Sequence, residues 1–155
     1  MKAHELMTKS VAICHTGDML NIPAQLMWDH DCGAIPVVDD DGKIAGMLTD
    51  RDICMAAYTK NRPLDTLPVR EAMATQVISA RPEQSLAEVE QLMAEKQIRR
   101  VPVLDAAGKP LGILSMNDLA IESARSSSPL KHGMSRLVHT LAPICRPRAR
   151  QQRAA

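Results

Sequence analysis

Apolar and polar positions along this chain predict one short series of elements, twice. The apolar runs "AIPVV" (34–38) and "IAGML" (44–48) flank the polar, glycine-bearing "DDDGK", the pattern of two strands joined by a hairpin. Further on, "VPVL" (101–104) and "LGIL" (111–114) flank "DAAGK" in the same way. Ahead of the second hairpin, Leu86, Val89, Leu92 and Met93 fall at i, i+3, i+6 and i+7, one apolar stripe of a helix. Ser85 signals the start of that helix, and Asp18 signals the start of its counterpart. Short apolar runs, Val11–Cys14 and Val77–Ser79, predict a strand before each helix, and a second helix follows each hairpin from Thr49 or Ser115. The expected order is β-α-β-β-α, repeated.

The repetition is residue by residue. Residues 5–53 align with 71–119 at a constant offset of 66 without a gap, with 15 identities in 49 positions. Pro36/Pro102, Val37/Val103, Asp39/Asp105, Gly42/Gly108, Gly46/Gly112 and Asp52/Asp118 are among them, as are "QLM" at 25–27 and 91–93. The chain is a tandem duplication. Its expected organisation is a first repeat over 1–59, a linker over 60–70 carried by "KNRPLDTLP", a second repeat over 71–125, and a basic, flexible tail over 126–155.

These residues resemble the cystathionine-β-synthase (CBS) domain family, whose hallmark is an apolar-Pro-Val-apolar-Asp run, a glycine turn, and a strand ending in [ST]-x-x-D. Both copies match, over about residues 5–122. The resemblance implies an α/β (α+β) fold in which two repeats pack through their sheets with pseudo-two-fold symmetry. It also implies two clefts for adenine nucleotides or related adenosyl ligands, a homodimer, and regulation of a separate partner protein. AMP, ADP or ATP would be regulatory ligands rather than required cofactors.

Two chemistries compete at the strand-to-helix junctions. Thr49/Asp52 and Ser115/Asp118 have the spacing of a capping box, in which hydroxyl and carboxylate satisfy early helix N–H groups. The same groups suit a ligand. Arg51 stands in the first helical turn, where a cation is unfavourable beside the helix dipole, so an anion there would explain it. "TDRD" thus reads as ribose on Asp52 and phosphate on Thr49 and Arg51. The second copy, "SMND", keeps Ser115 and Asp118 but lacks the cation, unless Arg99 or Arg100 reaches across. The resemblance adds Lys9 as a phosphate contact, Ile35 and Val101 as packing for the base, and first-strand backbone for adenine recognition.

Composition narrows the alternatives. Trp28 and Tyr58 are the only aromatic residues, so the core is aliphatic and no aromatic platform exists for stacking single-stranded nucleic acid. The net charge of +1 hides an asymmetry: residues 1–122 sum to −6 and residues 123–155 to +7. A basic tail suits nucleic acid, an anionic membrane or an acidic protein, or merely solubilises the chain. The four cysteines form no C-x-x-C pair, no run is long enough to span a membrane, and "MKAHELMTKS" lacks a secretory signal's apolar stretch. A cytoplasmic location is therefore expected. "DHDC" (29–32) reads as a polar helix end, and "DDD" (39–41) as a solvated hairpin tip. No motif suggests covalent catalysis, so a non-enzymatic sensor is expected. The rivals are a nucleotide-free interaction scaffold and a nucleic-acid arm in the tail.

Overall fold

The computed structural model describes residues 1–126 of the 155. The tail expected over 126–155, with its nucleic-acid alternative, lies outside the described residues except for Ser126 itself. The fold class is the expected mixed α/β one, built on two three-stranded sheets. In the first copy, β2 (Cys14–His15) runs parallel to β3 (Ala34–Val38), which pairs antiparallel with β4 (Ile44–Thr49). In the second, β5 (Arg100–Leu104) pairs antiparallel with β6 (Pro110–Ser115), whose other edge takes β1 (Thr8–Lys9). Helices α2 (Asn21–Asp29) and α3 (Asp50–Lys60) belong to copy one, and α4 (Leu86–Lys96) and α5 (Met116–Ser126) to copy two.

The shared identities have local causes. In each hairpin turn one aspartate accepts two backbone N–H groups: Asp39 from Asp41 and Lys43, Asp105 from Ala107 and Lys109. Gly42 and Gly108 follow at φ of 76° and 82°, a region that L side chains rarely adopt. The "DDD" run is thus a hairpin tip, with its first acid spent on the turn. The two tips touch, Ile44 N–H donating to Gly108 O at 2.9 Å.

The cores are aliphatic and separate. One gathers Leu20, Ile35, Val37 and Leu48, the other Val89, Val101, Val103 and Leu114. Each is closed by a strap from elsewhere in the chain. Ala3, on the short helix α1 (Ala3–Leu6), is buried in the core of copy two. Its counterpart Val69, with Leu67, is buried in the core of copy one. The segment expected as a linker therefore carries two 3-10 turns, Leu64–Thr66 and Val69–Glu71, and seals a core. Backbone bonds repeat the symmetry: Ala3 N–H donates to Gln84 O and Val69 N–H to Asp18 O, both at 2.8 Å.

The straps explain a further identity, that of Gly46 with Gly112. Thr8 pairs with Ile113, and Ala74 bridges to Met47, positions related by the same offset. A Cβ on Gly112 would come within 2.6 Å of Thr8 O and 2.7 Å of Met7 Sδ. On Gly46 it would come within 2.8 Å of Met73 Sδ and 2.9 Å of Ala74 O. Only glycine lets the straps approach this closely.

Two expectations need correction. The strands foreseen at Val11–Cys14 and Val77–Ser79 hardly form: Cys14–His15 pairs with β3, and in copy two only Ala80 bridges to Val103. The chain leaves one sheet at Lys9 and joins the other at Cys14, so the residues between must cross rather than pair. Asp18 is not a helix cap either. Its carboxylate accepts the N–H of His15, and α2 starts after Leu20 without a side-chain cap.

Candidate functional site

The segment that crosses after Lys9 forms one wall of a cleft. A cavity of about 410 Å3 opens between Thr8, Ser10, Val11 and Ala12 on one side and Ser115, Met116, Asn117 and Asp118 on the other. Arg99 and Arg100 close it from copy two, and His30, Asp31, Cys32, Gly33 and Ala34 from copy one. Ile113 and Ile121 add apolar lining. Its volume is ordinary for a small-molecule site.

Ser115 and Asp118 are positioned by capping chemistry. Asp118 Oδ2 accepts from Ser115 N–H at 2.8 Å and from its hydroxyl at 2.6 Å, and Ser115 Oγ accepts from Asp118 N–H at 3.3 Å. Thr49 and Asp52 repeat this at 2.9, 2.7 and 3.2 Å. Both pairs are therefore capping boxes, and each box uses a single carboxylate oxygen. Oδ1 of Asp52 and of Asp118 has no hydrogen-bond partner among the described residues. Capping and ligand contact are compatible because they call on different oxygens.

Charge reaches the cavity from the corner before β5. Arg99 and Arg100 are exposed, and among the described residues neither guanidinium joins a salt bridge. Copy one has only Gly33 and Ala34 at the matching corner, and the two arginines of "RR" line the same cavity as "SMND". Cys32 stands at the wall. Burial pushes its thiol pKa up, a bond from the Ala34 backbone and the nearby Arg100 pull it down, and Asp31 and Asp50 push it up again.

Of the residues singled out from the sequence, the structure brings together Ser115, Asp118, Arg99 and Arg100 around this cavity. Thr49, Arg51 and Asp52 stand at the N-terminus of α3, away from its lining, with Arg51 exposed. Lys9 is exposed on β1 and does not line the cavity, although its neighbours Thr8 and Ser10 do. Ile35 and Val101, expected to pack on a base, have no accessible surface: each is sealed in a core. Val11, Ala12, Ile113 and Ile121 supply the accessible apolar surface instead. Sequence reasoning also missed the "DHDC" end. Three of its four residues line the cavity because α2 stops there and Asp31 turns at a φ of 48°. The positive φ of Gln97, its partner at the 66-residue offset, marks the same helix exit in copy two.

Known proteins share this architecture. The CBS domain family matches residues 3–58 and again 69–125. The CBS domain-containing protein YhcV of Bacillus subtilis is 40% identical over 124 residues, 80% of this chain and 86% of that protein. The CBS domain pair of protein MJ0100, solved with 5′-methylthioadenosine and S-adenosyl-L-methionine, superimposes with a TM-score of 0.74 at 23% identity, covering 82% of this chain and 98% of that one. CBSX2 in complex with AMP gives a TM-score of 0.69 at 21% identity, covering 80% of this chain and 96% of that one.

Proposed function

The chain belongs to the CBS domain family, and from that premise we propose that it is a regulatory module that binds an adenine nucleotide or a related adenosyl ligand and acts on a separate partner protein. One observation carries this reading: the cavity joins a carboxylate oxygen and two guanidinium groups, none of them paired among the described residues, with a crossing backbone segment in one cleft. Asp118 Oδ1 suits the hydroxyls of a ribose, and Arg99 and Arg100 suit a phosphate. The chain between Ser10 and Ala12 suits an adenine edge through its peptide groups, with Ile113 and Ile121 packing on the ring. The structural neighbours solved with adenosyl ligands support the same ligand class. By the offset of 66, Thr49, Arg51 and Asp52 form the corresponding half of a second cleft.

Such a module regulates by linkage: a ligand shifts only an equilibrium between states that it binds unequally. The strap over residues 1–9 both closes the core of copy two and leads into the cavity wall. A ligand that orders the wall therefore stabilises the strap, and the surface around the strap changes with occupancy. In this reading the module is a cytoplasmic homodimer without catalysis of its own. No described helix is long and apolar enough to cross a membrane.

Thermal unfolding with AMP, ADP, ATP and S-adenosylmethionine tests the proposal. At about a hundredfold its Kd, a ligand of the native state adds ~2.7 kcal/mol, a rise of several degrees. Asp118→Ala should remove the part of that rise that this cavity provides. The interaction scaffold is the rival, since the observed capping boxes alone account for both Asp pairs. It predicts no shift with any of the four compounds.

A further inference from the structure

Asp50 and Arg100 come from different copies and approach each other over Gly33. A Cβ placed on Gly33 would lie 3.0 Å from Asp50 Oδ2 and 3.4 Å from a terminal nitrogen of Arg100. Asp50 is held in place: its other oxygen accepts the N–H of Arg51 at 2.8 Å, and its own N–H faces Gly33 O at 3.4 Å. Arg100 is free to choose. It lines the cavity, and among the described residues it joins no salt bridge. Opposite charges this close attract one another without being in contact as a pair. The Cys32 thiol, pushed up by burial, feels both of them in opposite directions.

We propose that Asp50 is a positioning residue for the cavity of copy two, competing with a ligand's phosphate for Arg100 across Gly33. The inference rests on the nucleotide-binding reading above. With the cavity empty, the guanidinium screens the Asp50 carboxylate. A phosphate in the cavity draws the guanidinium inward and leaves that carboxylate unscreened beside Thr49 and Arg51. An anion at the N-terminus of α3 is then disfavoured, and linkage makes the effect reciprocal. The two clefts are thereby coupled negatively, and only for ligands that carry phosphate. Gly33 is needed because a side chain there would occupy the crossing point.

The test is calorimetric titration of the full chain with adenosine and with AMP, following the site that Asp118→Ala abolishes. Wild type, Asp50→Asn, Arg100→Gln and the double variant complete a cycle. Asp50→Asn should tighten AMP roughly two- to fivefold, the scale of an exposed ion pair, and leave adenosine unchanged. In the Arg100→Gln background the gain should vanish. A gain of equal size in that background would make Asp50 a general repelling charge and overturn the proposal. So would unchanged AMP affinity in Asp50→Asn, or equal changes for AMP and adenosine. Wild type binding neither compound would overturn the proposal, and the absence of a thermal shift with ADP, ATP and S-adenosylmethionine as well would overturn the nucleotide reading itself.

Discussion

The two copies share a backbone plan and differ in where they place charge. Copy one carries its cation inside the helix-start motif, as Arg51 in "TDRD", and has the small corner Gly33–Ala34. Copy two has the neutral motif "SMND" and the corner Arg99–Arg100. The cavity of copy two is lined from both corners, so copy one's small residues leave room that copy two's arginines can enter. Duplication supplied two equal frames, and substitution at four positions gave their helix starts and corners unequal charge. The lesson is that a repeat's binding chemistry has to be read from both copies together.

The largest effects test the sameness of the frames. Leu48 and Leu114 are equivalent and fully buried, so Leu48→Ala and Leu114→Ala should each cost about 2–5 kcal/mol in urea unfolding. Costs differing several-fold would show that the cores are not equivalent in energy. The straps come next. Gly112→Ala and Gly46→Ala should each cost about 1–3 kcal/mol, with Gly112 the worse because its neighbours are nearer. Limited proteolysis should then cut near Met7 in the first variant and near Met73 in the second.

Without ligand, Asp52→Ala and Asp118→Ala should cost about 1 kcal/mol apiece, since both remove the same capping box. With AMP present, Asp118→Ala alone should lose the stabilisation that the cavity of copy two provides. Loss of that stabilisation in Asp52→Ala and not in Asp118→Ala would move the main site to copy one.

The smallest effect concerns the first helices. Ser85 and Glu88 box the start of α4, whereas α2 starts without a side-chain cap. Bonds from the Ser85 hydroxyl and N–H hold the Glu88 carboxyl below its ordinary value of 4.5. A depressed carboxyl contributes stability in full above the unfolded value and loses it as pH falls through the folded one. Wild type should therefore exceed Glu88→Gln in urea midpoint at pH 7, and the two should converge below pH 4.5. No equivalent change in α2 has an acid to lose.

Much of this molecule was legible from its residues. The duplication showed as identities at one offset, and the hairpins and Ser/Thr–Asp boxes, which arise from interactions spanning a few positions, appear as expected. Asp39 and Gly42 make a turn wherever they stand at that spacing, and their partners Asp105 and Gly108 do the same. That Arg99 and Arg100 could come near "SMND" was legible too, and both line one cavity with it. Asp18 misled because an aspartate before an apolar run serves a turn as readily as a helix, and here its carboxylate serves His15.

The tertiary structure alone decided the rest. Val11, Ala12 and Ile13 have the apolar pattern of a strand, yet they cross from the sheet of copy two to that of copy one because their neighbours are claimed by both. Thr8 is held by Ile113 and Cys14 by Val37, partners that no local window contains. The same division explains why Ile35 and Val101 were misassigned: an apolar pattern marks a residue as inward-facing without saying whether inward means a core or a cleft. Sequence by itself determined two copies of one unit, each with a capped helix start after its hairpin. Which segments seal which core, and so which residues face the cavity, depended on long-range pairing, because a strap's position is set by the partner that holds it.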